Sequence, residues 1–101
     1  MRLSPEARLE QRCNNRATGL LARERKLKAP DEVVAYAFSD TAAKGAFLNA
    51  PGAAIRDRGE WYRLSYKCQA TPDGLGIVTF EYKLGEKVPR SDWAEHNLSP
   101  P

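Results

Sequence analysis

Two cysteines and one histidine are the residues of this sequence that most often bind metals or act in catalysis. A zinc site usually needs four ligands drawn from cysteine and histidine, so we predict no metal site. His96 stands beside Glu95, but a catalytic base also needs a nucleophile within hydrogen-bond reach. The sequence supplies no such nucleophile, and we predict neither catalytic residues nor a cofactor. The alternative is a small enzyme in which His96 works with a carboxylate, the candidates being Glu81, Asp92 and Glu95.

Length, composition and charge are typical of one small globular domain. The chain has 101 residues, of which 42% are hydrophobic and 29% are charged, and a domain of this size holds a single core. No apolar run approaches the roughly 20 residues that span a bilayer. Sixteen basic and thirteen acidic side chains give a net charge of +3, which is mild for a nucleic-acid binder.

The densest basic cluster consists of Arg23, Arg25, Lys26 and Lys28. We interpret this basic cluster as the solvated C-terminal end of a helix, where cations favour the helix dipole. Contact with a polyanion or with lipid headgroups is the alternative. As a polyanion binder, the chain would be a cytoplasmic domain that binds nucleic acid or another polyanion. Residues 74–76 (GLG) lack the strand-to-helix setting of a phosphate loop, so we interpret them as a turn.

The first element is a helix with a well-marked start. We predict that Ser4 caps it and that Pro5 occupies the first helical position. One apolar stripe follows at helical spacing and consists of Leu9, Cys13, Ala17, Leu20 and Leu21. The opposite, polar face carries Arg8, Gln11, Arg12, Asn15 and Arg16. We expect the helix to continue to about Lys28 and to stop before Pro30, with a break at Gly19 as the alternative.

The middle of the chain changes from helical to strand-like patterns. Residues 33–38 are short, β-branched and aromatic, which is typical of a strand buried on at least one face. Residues 46–50 and 53–56 predict two weaker strands, and Pro51-Gly52 between them is a turn signal. Residues 57–59 (DRG) favour a tight hairpin with a glycine at positive φ.

Two longer strands with strict alternation come next. In residues 61–70 the predicted inner face carries Tyr62, Leu64, Tyr66, Cys68 and Ala70. In residues 75–84 the inner face carries Val78, Phe80, Tyr82 and Leu84. Residues 71–74 form a strong turn signal between these strands. Residues 91–96 predict one helical turn near the C-terminus, with Ser91 as its cap.

These elements predict an α+β two-layer sandwich. The N-terminal helix packs on a mostly antiparallel sheet of four or five strands, and a short C-terminal helix follows. We expect residues 1–98 to form a single domain and residues 99–101 to be a disordered tail.

This arrangement brings the two cysteines close to each other. Cys13 lies on the apolar stripe of the helix and Cys68 on the inner face of the best strand, so both side chains point into the same layer. No third cysteine competes, and we predict a Cys13–Cys68 disulfide that joins helix to sheet. Such a bond implies an oxidising compartment. Two buried free thiols are the alternative, because cysteine packs like a small hydrophobic residue.

The outward face of the two long strands is the candidate binding surface. It carries an aromatic residue among mixed charges, and such a face can bind a partner. Its residues are Trp61, Arg63, Ser65, Lys67, Thr79, Glu81 and Lys83. The interpretation that we favour is that Trp61 packs with Trp93 under the terminal helix and that the charges are merely solvated.

Several segments resemble the bacterial, alphaproteobacterial family named domain of unknown function 930. They are LEQRC and VVAYAF in the first half of the chain, then GAAIR, GEWYRLSYKC, FEYKLG and WAEH. The resemblance covers nearly the whole chain, and the two-cysteine frame is its most specific part. Members of that family are exported proteins, or domains behind a membrane anchor and a proline-rich linker. The resemblance therefore implies an envelope location and no assigned activity.

We therefore predict a non-enzymatic domain of the cell envelope, periplasmic or otherwise extracytoplasmic. Its expected partner is another envelope component, a protein or a glycan, and nucleic acid is not expected. Residues 1–20 lack the apolar segment of a secretory signal, so a cytoplasmic location is the alternative.

Overall fold

The computed structural model describes residues 4–100; residues 1–3 of the predicted domain and Pro101 of the predicted tail lie outside them. The elements are helix α1 (Pro5–Arg23), strands β1 (Pro30–Val34), β2 (Ala42–Lys44), β3 (Phe47–Asp57), β4 (Glu60–Ala70) and β5 (Ile77–Lys87), and 3₁₀ turns at Arg90–Asp92 and Ala94–His96. The strands form one antiparallel sheet in the order β1-β3-β4-β5, and β2 pairs with β3 beside β1. Helix α1 packs on one face of this sheet, which confirms the predicted α+β sandwich.

Helix α1 begins as predicted and ends earlier than predicted. The Ser4 hydroxyl accepts a hydrogen bond from the Ala7 N–H at 3.1 Å, so Ser4 is the N-cap. The helix stops at Arg23 because Arg25 adopts a left-handed conformation with φ 58°. The N–H of Arg25 then bonds the Ala22 carbonyl and the N–H of Lys26 bonds the Leu21 carbonyl, a Schellman ending. The predictions of an end near Lys28 or at Gly19 are therefore wrong.

A side chain ties this helix end to the far edge of the sheet. The Tyr82 hydroxyl of β5 donates a hydrogen bond to the carboxylate of Glu24, which directly follows the helix. That hydrogen bond raises the pKa of Tyr82 to about 12. The chain reversal after α1 is thus held from the sheet side as well as by its own backbone.

Two strand predictions in the middle of the chain require correction. Strand β1 ends at Val34, and residues 35–39 form turns and bends. The predicted strands 46–50 and 53–56 are one continuous strand, β3, in which Pro51-Gly52 forms a bulge between Ala50 and Ala53. The Gly52 carbonyl accepts the Phe38 N–H at 2.7 Å, and a Cβ at Gly52 would stand 2.6 Å from the Ser39 nitrogen. This close approach explains the glycine better than a turn does.

The two predicted hairpins are confirmed. Arg58 and Gly59 between β3 and β4 have φ values of 54° and 81°, as a two-residue hairpin loop of the primed type requires. Gly74 in the β4–β5 turn has φ 77°. The predicted C-terminal helical turn is two 3₁₀ turns, and Ser91 lies inside the first of them rather than capping it.

The main core lies between α1 and the sheet. Helix α1 contributes Leu9, Cys13, Ala17 and Leu21, all of which are buried. Tyr66 of β4 lies in the same core, and its hydroxyl donates a 2.6 Å hydrogen bond to the Asn14 side chain. Burial, with a smaller contribution from the charge of Glu10, raises the pKa of Tyr66 well above its usual value. The inner face of β4 thus meets the helix as the sequence predicts, and Phe80, Tyr82 and Leu84 of β5 lie on the same side. The prediction for Val78 is wrong: it is exposed, because the register shifts between Gln69 and Ala70 and Ile77 packs against the core instead.

The expectation of a single core is wrong, because a second, smaller core lies on the other face of the sheet. It brings together Val34, Ala37, Ala54, Trp61, Val88, Trp93 and Leu98. The Trp61 indole N–H donates to the Ser99 carbonyl at 2.9 Å, and Arg56 donates to the Ser99 hydroxyl at 3.2 Å. Ser99, the first residue of the predicted disordered tail, is therefore held against the domain.

Substitution of the buried carboxylate of Asp57 provides a strong test of the fold. Asp57 is 7% exposed and accepts hydrogen bonds from the backbone N–H groups of Ala29 at 2.7 Å and Lys28 at 3.3 Å. We expect Asp57→Ala to lower the free energy of unfolding by about 2 kcal/mol, because two amides lose their acceptor. Chemical denaturation measures the loss. As a control, Asp31→Ala removes an exposed ion pair with Arg56 and should cost less than about 1 kcal/mol; equal losses would contradict the prediction.

Candidate functional site

The predicted disulfide between Cys13 and Cys68 is present. Cys13 comes from α1 and Cys68 from β4, with their Cα atoms 6.1 Å apart, within the usual range for a disulfide. Both residues are fully buried. The bond therefore joins the two layers in the middle of the main core, with both cysteines shielded from solvent.

The predicted binding surface is only partly open. Trp61 is 0% exposed because Trp93 and Leu98 cover it in the second core. Trp61 is therefore no part of an exposed surface, and it packs in one core with Trp93 as in the favoured interpretation. Trp93 is itself anchored, since its indole N–H donates to the Val88 carbonyl at 3.0 Å.

Arg63 lies at the border between the covered and open parts of this face. Its guanidinium stands 3.8 Å from the centroid of the Phe38 ring, a cation–π contact. The Phe38 ring in turn lies 4.2 Å from the His96 ring, centroid to centroid. Arg63 is thus held by packing, although its side chain is exposed.

The remaining predicted residues lie together on the open part, which we call the outer face. It consists of Ser65, Lys67, Thr79, Glu81 and Lys83. Across β4 and β5, Ser65 pairs with Lys83 and Lys67 with Glu81, so opposite charges alternate along it. A shallow depression of about 400 Å³ runs over this face and reaches Asn49 and Pro51 of β3. Phe47 of β3 is 39% exposed.

The single histidine has a structural role in this arrangement. The Nδ1–H of His96 donates to the Ala37 carbonyl at 2.8 Å, and its Nε2 lies 4.0 Å from Glu95. Of the candidate acids, only Glu95 approaches the ring, whereas Glu81 lies on β5 opposite Lys67. Within residues 4–100, no group of three or more His, Cys, Asp or Glu side chains has a metal-binding arrangement. His96 thus holds the C-terminal segment to the chain that follows β1.

The basic cluster lies at and just beyond the end of α1. Its members, Arg23, Arg25, Lys26 and Lys28, are all exposed. None of them forms an ion pair with another residue in the described part of the chain. Because the helix ends at Arg23, only that residue acts on the last helical carbonyls.

A second surface, which the sequence did not predict, lies at the junction of α1 with the β4–β5 turn. Arg8, Arg12 and Arg16 follow each other there at intervals of four residues, beside Leu75 of the turn. Arg12 donates to the Leu75 carbonyl at 3.1 Å. We call these four residues the arginine edge. The spacing of the arginines was visible on the polar helix face, but the position of Leu75 depends on tertiary packing.

Comparison with known proteins gives one match, to a protein family. The family model described as Domain of Unknown Function (DUF930) matches residues 1–98. No curated protein and no solved structure matches the chain. Within residues 4–100, none of the helices combines the length and the hydrophobicity of a membrane span. Because the match covers almost the whole sequence, the chain belongs to the Domain of Unknown Function (DUF930) family.

Proposed function

We propose that the protein is a non-enzymatic domain of the cell envelope, which works in an oxidising compartment such as the periplasm and binds another envelope component. The observation that carries the proposal is the buried Cys13–Cys68 disulfide. A structural disulfide persists where thiols are not kept reduced, which favours an extracytoplasmic location. His96, the best candidate for a catalytic base, has one ring nitrogen bonded to a backbone carbonyl.

The outer face is the proposed contact surface, and its charges favour a protein partner. Lys67 and Lys83 flank Glu81 on neighbouring strands, so the surface presents both signs of charge within a small area. Alternating charges provide register and specificity against a complementary protein surface. A uniformly basic or aromatic surface would fit a glycan better, and the aromatic residue expected for that purpose, Trp61, is buried.

Site-specific photo-crosslinking tests this proposal. A photoreactive amino acid placed at Lys67 should give an adduct in cells that express the protein, and mass spectrometry should identify the captured molecule as an envelope protein. The charge reversal Glu81→Lys should abolish that adduct, because it makes the centre of the face uniformly positive. Both positions are exposed, so the substitutions leave the fold intact.

A matched control uses the photoreactive residue at Tyr36, which is 51% exposed and lies outside the outer face. The proposal expects no adduct of the same mass from this position. Identical adducts from Lys67 and Tyr36, or no adduct from Lys67 at all, would count against the outer face as a specific contact.

A further inference from the structure

The arginine edge combines positive charge with an exposed apolar side chain. Leu75 is 72% exposed, more than any other large hydrophobic residue among those described. It lines two adjoining grooves, of about 500 and about 740 Å³, and both grooves also contain Arg8 and Arg12. The most exposed large apolar side chain among the described residues thus lies beside three arginines.

Leu75 is held in this exposed position rather than being part of a loose loop. Its N–H donates to the Asp73 carboxylate at 3.0 Å, and its carbonyl accepts from Arg12 at 3.1 Å. The turn is closed further by the Thr71 N–H, which donates to the Gly76 carbonyl at 2.9 Å. Bonds on both sides of Leu75 therefore fix its backbone while the side chain points into solvent.

The charge of this surface is positive on balance. The groove beside α1 is lined by the three arginines, two amide side chains, and Leu75, Gly76 and Ile77, with no carboxylate in its lining. Asp73 is the one acid that lines the neighbouring groove. Hydrogen bonds from Thr71 and from the Leu75 N–H lower the pKa of Asp73, so it stays charged. None of the three arginines forms an ion pair within residues 4–100.

We propose that the arginine edge docks this domain on the surface of an anionic lipid bilayer. The guanidinium groups of Arg8, Arg12 and Arg16 bind lipid phosphates, and Leu75 inserts among the headgroups. Arginine pairs with phosphate through two parallel hydrogen bonds, and a leucine beside basic residues is a typical interfacial anchor. Successive arginines on α1 stand about 6 Å apart along the helix axis, so one edge can contact several headgroups.

Two features favour a lipid surface over a soluble polyanion. A soluble polyanion would bind the arginines, but the exposed Leu75 side chain would add nothing to its affinity. A bilayer uses both, because apolar burial and charge attraction add at the interface. The proposal is separate from the outer face, which lies on β4 and β5 rather than on the helix and the turn.

Sedimentation with lipid vesicles tests the proposal on the whole chain. We expect binding to vesicles that contain phosphatidylglycerol and none to vesicles of phosphatidylcholine alone. The double variant Arg8→Gln/Arg16→Gln should weaken the binding about 25-fold, at about fivefold for each charge. Arg12 stays in place because it holds the turn. Leu75→Ser should weaken binding about fivefold, because it removes the apolar anchor.

The matched control removes two arginines at and just beyond the other end of the helix. Arg23→Gln/Arg25→Gln changes the net charge equally and should leave binding within about threefold, because charges outside the contact are screened. Equal losses in both double variants, an unchanged affinity of Leu75→Ser, or no binding to phosphatidylglycerol vesicles would each overturn the proposal. The proposal would also be overturned if the protein bound tripolyphosphate in the absence of lipid, and if this binding were lost in Arg8→Gln/Arg16→Gln but kept in Leu75→Ser. That result would identify a site for soluble phosphate.

Discussion

Removing the disulfide with Cys13→Ala/Cys68→Ala is expected to lower the free energy of unfolding by about 4 kcal/mol. The bond closes a loop with a sequence separation of 55 residues, and the chain-entropy relation for a loop of this size gives about that value. This loss is a large fraction of the 5–15 kcal/mol that is usual for a domain. Urea denaturation followed by circular dichroism measures the change.

The wild-type protein under strong reducing conditions is the control for this variant. Reduction opens the same bond without deleting side-chain atoms, so its midpoint should fall close to that of the double variant. A loss below about 1 kcal/mol in both experiments would mean that the main core holds α1 on the sheet without the bond.

The second large effect is expected from Trp61→Ala. We expect this substitution to lower the free energy of unfolding by about 3–5 kcal/mol, the range for removing a large aromatic side chain from a core. Trp61 is fully buried, and its indole N–H also holds Ser99. The same denaturation experiment reports the loss, and near-ultraviolet circular dichroism should show weaker packing around Trp93.

Two further variants show whether this effect comes from the second core. Trp93→Ala removes another large aromatic side chain from the second core and should cost a similar amount. Tyr36→Ala removes an aromatic ring that is 51% exposed and should change stability by less than about 1 kcal/mol. If Trp61→Ala proved as mild as Tyr36→Ala, Trp61 would not be covered as the structure describes.

The parts of the fold that depend on local pattern could be predicted from the sequence. The helical stripe around Cys13 and the alternation around Cys68 each indicate an inner face, and two inner faces of a two-layer fold must meet. The loop at Gly59 is similarly predictable, because a two-residue hairpin with glycine needs only its own backbone geometry.

The parts that depend on distant contacts could not be predicted in this way. Pro51-Gly52 is locally a turn signal, and it remains within one strand because β4 pairs on both sides of it and Phe38 bonds to Gly52. Arg25 ends α1 in a conformation that is uncommon for arginine, so no residue type marks the end.

The candidate surfaces, too, could be predicted from local pattern only in part. Alternation in β4 shows which residues share the outer face, but only the fold shows that the C-terminal segment covers Trp61 and leaves Lys67 open. The arginine edge needs the turn after β4 to reach the helix, and that contact spans 63 residues of sequence between Arg12 and Leu75. Such a separation has no local signal.

The oxidation state of Cys13 and Cys68 in the cells that naturally express the protein tests the central claim most directly. Those cells are lysed in denaturant with a mass-tagged maleimide, with and without prior reduction, and the protein is detected by antibody. The proposal predicts no tag without reduction and two tags after it, because both cysteines are joined in the disulfide. Two tags on the unreduced protein would contradict both the disulfide and the oxidising compartment.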